Sequence, residues 1–150
     1  MTAEIISVGT ELLLGNILNT NAQYLSRELA DLGITVQRES TIGDNHGRLA
    51  DFVNEAKSRC DLLVFTGGLG PTEDDLTKET VAEAFGDTLH FDEVEWDKIL
   101  AFFARTNRRP TENNRKQAMV PTNGHKIIND HGTAPGAWFE DAQGHCAALM

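Results

Sequence analysis

The sequence predicts an α/β fold of three layers, α/β/α, in which helices flank a mostly parallel sheet that ends in a β-hairpin excursion. Short apolar runs alternate with helix-period segments. Two of those runs, Ala3–Val8 and Leu62–Phe65, lead directly into glycine-punctuated turns. Three strand–helix units also follow one another, and connections of that kind are right-handed crossovers between parallel strands. Together these make the chain doubly wound and Rossmann-like, a single domain over residues 1–150.

Ala3–Val8 is almost continuously apolar, the pattern of a strand buried on both faces. Asn21–Leu32 places Ala22, Leu25, Leu29 and Leu32 on one helical face, and Gly33 takes the position where helices commonly end. Ile34–Ile42 has Ile34 and Val36 among polar residues and reads as a strand nearer the sheet edge. Asp44 or Asn45 can cap the next helix, whose Leu49, Phe52, Val53 and Ala56 recur at three- and four-residue intervals. Leu62–Phe65 is the next buried strand, and a helix from Thr77 to Phe85 is stopped by Gly86.

Asp92 and Glu95 have capping-box spacing, opening a helix with Trp96, Ile99, Leu100 and Phe103 along one side. Arg105–Pro110 reads as a basic exposed turn, followed by a short helix from Asn113 to Ala118 capped by Thr111. Lys126–Ile128, Ala137–Phe139 and Cys146–Leu149 are expected strands, separated by turns at Asn129-Asp130-His131-Gly132 and Asp141–Gly144. Trp96, Phe102, Phe103 and Trp138 offer more aromatic surface than one small core requires, so they serve either packing or an oligomer interface.

A net charge of −10 argues against nucleic acid as the primary ligand, because phosphate backbones are gripped by Lys and Arg. A small phosphorylated ligand stays compatible if a cation neutralises both sides. Cys60 and Cys146 form no CxxC pair and are expected to be buried free thiols. Glu4 interrupts the first apolar run, no basic region precedes it, and no apolar stretch approaches the ~20 residues of a membrane span. A cytoplasmic setting away from membranes is the expectation.

Ligands of open parallel sheets bind beyond the carboxyl ends of the strands. Gly9-Thr10-Glu11, Gly43-Asp44-Asn45 and Thr66–Thr77 fall there. Gly67, Gly68 and Gly70 let backbone N–H groups turn toward an anion, with the start of the Thr77 helix adding its positive end. The loop is neither G-x-x-x-x-G-K-[ST] nor G-x-G-x-x-G. Carboxylates beside a phosphate repel it unless a cation lies between, so Asp75, with Asp44 and possible help from Asp74, is the candidate holder of a divalent metal such as Mg²⁺. Helix capping is the competing use of Asp74, Asp75 and Asp44, and Glu11 is ambiguous in the same way. Thr10, Thr66, Thr72 and Thr77 can offer hydroxyls to phosphate or only to local turns. Asn113, Asn114 and Arg115, with the small-residue loop Gly132-Thr133-Ala134-Pro135-Gly136, are candidates for the far side of the cleft, and Lys78 or Arg115 can pair with phosphate charge. The five histidines show no metal-ligand spacing, and no nucleophile has an obvious base partner, which points to metal-assisted attack by water or by another phosphate.

Residues Glu4–Gly15, Asn19-Thr20-Asn21, Gly43-Asp44-Asn45, Gly67–Thr77, Thr111–Ala118 and Gly132–Gly136 together resemble the amino-terminal domain of the CinA (competence/damage-inducible) family, a branch of the molybdopterin-binding superfamily related to MoaB and MogA. The resemblance implies acidic residues essential for activity at Asp44 and Asp75. It further implies metal-dependent hydrolysis of ADP-ribose to AMP and ribose 5-phosphate, with Mg²⁺ or Co²⁺ and a possible monovalent cation. Alternatives it leaves open are adenylyl transfer to a pterin, or a non-catalytic nucleotide-sensing module beside a nicotinamide mononucleotide (NMN) deamidase domain or protein. Dimers or trimers are implied as well. Family members continue past the last strand into a Pro-Gly-rich loop and a closing helix, so residues 1–150 are expected to lack that closing segment.

Overall fold

The computed structural model describes residues 1–150. Its strands are β1 (Thr2–Val8), β2 (Thr35–Ile42), β3 (Leu62–Thr66), β4 (Leu89–Phe91), β5 (Met119–Pro121), β6 (His125–Ile127), β7 (Gly136–Glu140) and β8 (Cys146–Leu149). Its helices are α1 (Thr10–Leu13), α2 (Thr20–Asp31), α3 (His46–Lys57), α4 (Thr77–Ala84) and α5 (Glu93–Arg105), with a 3₁₀ helix at Glu112–Ala118. No helix is long and apolar enough to cross a membrane.

The main sheet has six strands in the order β2-β1-β3-β8-β7-β6. Pairing is parallel from β2 through β8, and β7 is antiparallel to both of its neighbours, so β7 alone runs against the rest. The polar strand at Thr35–Ile42 does lie at the edge. Two apolar layers cover the sheet. Ile6, Val8, Leu63, Phe65, Phe139 and Leu149 pack with α3 and α4, while Ala3, Ile5, Leu62 and Val64 meet Ala22, Leu25 and Leu29 of α2. Phe65 and Phe139 are wholly buried, and truncating either to Ala would cost about 3–5 kcal/mol. Glu4, the charge inside the first apolar run, is also wholly buried and is satisfied by Arg59 at 2.9 Å and by the Ser40 hydroxyl at 2.7 Å.

Several alternatives are decided and a few local expectations change. Asn45, not Asp44, caps α3, accepting from the Arg48 N–H at 3.0 Å. Neither Asp74 nor Asp75 caps α4, whose N-cap is Leu76 with no side-chain hydrogen bond. Asp92 caps α5, but Glu95 does not complete a capping box: the Asp92 N–H already donates to the Ala118 carbonyl, and buried Glu95 pairs with Lys98 and Lys126 instead. Cys60 is buried, whereas Cys146 is only half-buried. Gly33 and Gly86 do end α2 and α4 with φ of 76° and 71°. Beyond the expected elements are α1 and the small antiparallel pair β4–β5, whose three-residue strands are too short to show an alternation. Leu32 and Leu100 lie exposed rather than on buried faces, and Trp96, Phe102, Phe103 and Trp138 are half-buried.

Candidate functional site

The loop after β3 is built for close approach. Gly67 and Gly68 have φ of 97° and 67°, the left-handed region that disfavours side chains. A Cβ on Gly67 would strike the Val8 carbonyl, and one on Gly68 would strike the Thr77 hydroxyl. In this geometry the N–H groups of Gly67, Gly68, Leu69 and Gly70 donate to no acceptor within the chain. Unpaired successive amides at a bend form a concave donor surface suited to an anion.

Asp75 closes the loop from its far end. Its Oδ2 accepts from the Thr72 N–H at 2.9 Å and from the Thr72 hydroxyl at 2.5 Å, and its carboxylate lies so close to Gly70 that a Cβ there would hit it. Asp74 is exposed and engages nothing, which separates the two acids. Lys116 Nζ donates to the carbonyls of Thr72 and Asp75 and lies 3.5 Å from Glu79. Lys78 is 4% exposed, its Nζ donates to the Met119 carbonyl at 2.9 Å, and burial pushes its ammonium down to about 8.

Asp44 sits at the end of β2, where its Oδ2 accepts from the Thr10 N–H at 2.8 Å and the Thr10 hydroxyl at 2.9 Å. Asp44 and Asp75 each keep one oxygen without a partner. No three His, Cys, Asp or Glu side chains converge into a ready-made metal cage. The open oxygen of Asp75 against Gly70, with that of Asp44 at the end of β2, nevertheless has the chemistry of a hard-cation ligand, since such an ion takes one or two carboxylates and completes its shell with water and ligand oxygens.

Cavities flank the loop on either side. A cavity of about 490 Å³ runs from Gly67, Leu69 and Gly70 to Gln117, Thr133 and an apolar wall of Ile127, Ile128 and Met150. A second, of about 310 Å³, is lined by Glu11, Asn19, Asn21, Thr66 and Gly67. There the Thr66 hydroxyl accepts from the Asn21 side chain at 2.9 Å.

The structure thus gathers Gly67, Gly70, Thr133 and Gly136 around one cavity, Glu11 and Thr66 around the other, and Thr10 with Asp44 at the neighbouring strand ends. Other candidates fall elsewhere. Thr77 is fully buried beneath Gly68, and its hydroxyl, without a hydrogen-bond partner, lies against the back of the loop. Arg115 stacks on Phe91 at 4.3 Å and pairs with Glu112, because the aromatic face of the β4–α5 unit draws its guanidinium away from the loop. Asn113 lies in an open groove with Thr72 and Lys116, outside the large cavity. Gly132 forms a tight turn on Asn129. Sequence reasoning did not single out Lys116 or Gln117. The one available signal was their place in the stretch that follows Thr111.

A family model described as "Probable molybdopterin binding domain" matches residues 4–149. The crystal structure of the protein CinA from Thermoplasma acidophilum is 32% identical, with a TM-score of 0.82 over 99% of this chain and 86% of that one. The chain belongs to the CinA branch of the molybdopterin-binding domain family. Among its relatives, a protein of Geobacillus sp. (strain WCH70) named for competence-damage induction is 57% identical over 136 residues, 91% of this chain and 33% of the relative. One of the same name from Acetivibrio thermocellus is 53% identical over 141 residues, 94% of this chain and 34% of the relative. The chain therefore spans about a third of the length of these relatives. The molybdopterin biosynthesis enzyme MoaB of Thermus thermophilus shares the fold at a TM-score of 0.65 and 14% identity, covering 99% of this chain and 79% of its own.

Proposed function

We propose that this CinA-type domain is a metal-dependent nucleotide pyrophosphatase that hydrolyses ADP-ribose to AMP and ribose 5-phosphate. The observation that carries the reading is the run of four unpaired amides, Gly67 to Gly70, of which Gly67, Leu69 and Gly70 line a cavity large enough for a nucleoside. Those donors receive the diphosphate and stabilise the charge that grows on a non-bridging oxygen as the phosphorus is attacked. The free oxygens of Asp75 and Asp44 would hold Mg²⁺ or Co²⁺ together with phosphate oxygens. The cation, when bound, neutralises the diphosphate and lowers the pKa of the attacking water. Water then forms the new P–O bond as the anhydride P–O bond breaks, and each phosphate leaves on its own sugar. Thr72 holds the Asp75 carboxylate in place, and Thr10 does the same for Asp44.

The test is AMP release from ADP-ribose with Mg²⁺ or Co²⁺ by the wild type and by Asp75→Asn. The variant is expected to lose at least about a hundredfold in turnover while keeping its melting temperature. Equal AMP release by the two proteins would refute the assignment. Adenylyl transfer to a pterin would use the same amides, and it separates by requiring the pterin for any turnover.

A further inference from the structure

The large cavity carries a polarity of its own. Thr111 begins the 3₁₀ helix, and both its N–H and its hydroxyl donate to Asn114 Oδ1, at 2.7 and 3.1 Å. A backbone N–H can only donate, which fixes the Asn114 carboxamide with its oxygen toward Thr111 and its nitrogen away. That nitrogen donates to Gln117 Oε1 at 3.0 Å, which fixes the second carboxamide in turn. Gln117 Nε2 then donates to the Thr133 hydroxyl oxygen at 2.9 Å. Asn114 and Gln117 are 6% and 5% exposed, so water does not compete for the chain.

The sense imposed at Thr111 therefore emerges at Thr133. Its oxygen is occupied as an acceptor, and its proton finds no acceptor within the protein. Gln117 also retains one N–H beyond the bond to Thr133. Asn129, the remaining amide on this wall, is spent on its own loop: it accepts from His131 and Gly132 and donates to the Ala134 carbonyl. The side chains of the wall thus offer donors, framed by Ile127, Ile128 and Met150.

We infer that Thr133 is a specificity-determining residue whose hydroxyl, oriented by Thr111, Asn114 and Gln117, selects the organic part of the ligand. The ligand class is a diphosphate ester of a planar heterocycle that presents a ring nitrogen or carbonyl acceptor. The diphosphate end rests on the proposed anion-binding role of Gly67–Gly70, whereas the choice of heterocycle belongs to this relay.

The measurement is calorimetric binding of ADP and of pyrophosphate, each with Mg²⁺, to the wild type, Thr133→Val, Thr133→Ser and Asn114→Asp. Wild type and Thr133→Ser should bind ADP more tightly than pyrophosphate. Thr133→Val should lose about tenfold in ADP affinity with pyrophosphate unchanged. Asn114→Asp lies outside the cavity, but a carboxylate cannot donate to Gln117. The Gln117 amide would then turn over and draw the Thr133 proton to itself, giving the same selective loss. ADP affinity untouched by Thr133→Val, or pyrophosphate weakened equally with ADP, overturns the inference and leaves the anion reading standing. A wild type that binds neither compound overturns both.

Discussion

Thr10 donates twice to the Asp44 carboxylate, through its N–H at 2.8 Å and its hydroxyl at 2.9 Å, and so ties the carboxyl end of β1 to that of β2. The same carboxylate keeps its other oxygen open. One side chain thereby serves as a structural clasp and as a candidate cation ligand.

Substitutions at this pair should separate those two roles. Thr10→Val removes two hydrogen bonds, the one its hydroxyl donates to the Asp44 carboxylate and the one it accepts from the Asp44 N–H, and leaves the charge, so a loss of about 1–2 kcal/mol in urea unfolding is expected with partial retention of AMP release. Asp44→Asn keeps the shape and removes the charge, and turnover is expected to fall by at least about a hundredfold. Equal activity loss from both variants would mean that Asp44 acts only through the clasp.

The glycines of the loop should not respond alike. Gly67→Ala meets both an unfavourable φ and the Val8 carbonyl, and should destabilise by roughly 3 kcal/mol. Gly70→Ala has no such φ but collides with the Asp75 carboxylate, so its effect should fall on activity more than on melting temperature. Thermal denaturation beside AMP release distinguishes the two.

Buried Lys78 should leave a mark in alkali. The native amine gives up its proton near pH 8, while the unfolded chain keeps it to about 10.5. Between those values unfolding takes up a proton, so rising pH favours the native state, by about 3 kcal/mol at most. Lys78→Met should lack this rise, and a stability difference between wild type and variant that stays constant from pH 7.5 to 10.5 would contradict it.

Asp141 predicts the opposite flank of the pH profile. Burial alone would raise its carboxyl, yet hydrogen bonds from Lys57 and His145 outweigh that and hold it well below the usual carboxylate range. Its stabilising contribution is present above the unfolded pKa and is lost as pH falls through the native one. Asp141→Asn should therefore be less stable than the wild type at neutral pH, with the gap closing in acid, as followed by denaturant unfolding from pH 7 to 2.

The six-stranded sheet was legible because buried parallel strands carry unbroken apolar runs, and Ala3–Val8 and Leu62–Phe65 do. The glycine loop was legible for a related reason, since three glycines after such a strand have few uses other than a sharp bend. Arg115 was not, because its fate depends on Phe91, 24 residues away along the chain, and no spacing rule links the two. Gln117 was hidden differently. A lone carboxamide is unremarkable until folding places Asn114 on one side of it and Thr133 on the other.

β7 alone runs against the sheet, and that reversal delivers the Asn129–Pro135 loop to the same edge as Gly67–Gly70. The proposed grip on phosphate and the proposed reading of what the phosphate carries would thereby be housed in separate segments, some sixty residues apart. On that proposal, exchanges in the later loop would alter ligand preference while the glycine bend stays intact, so a single inverted strand would let the two tasks vary independently.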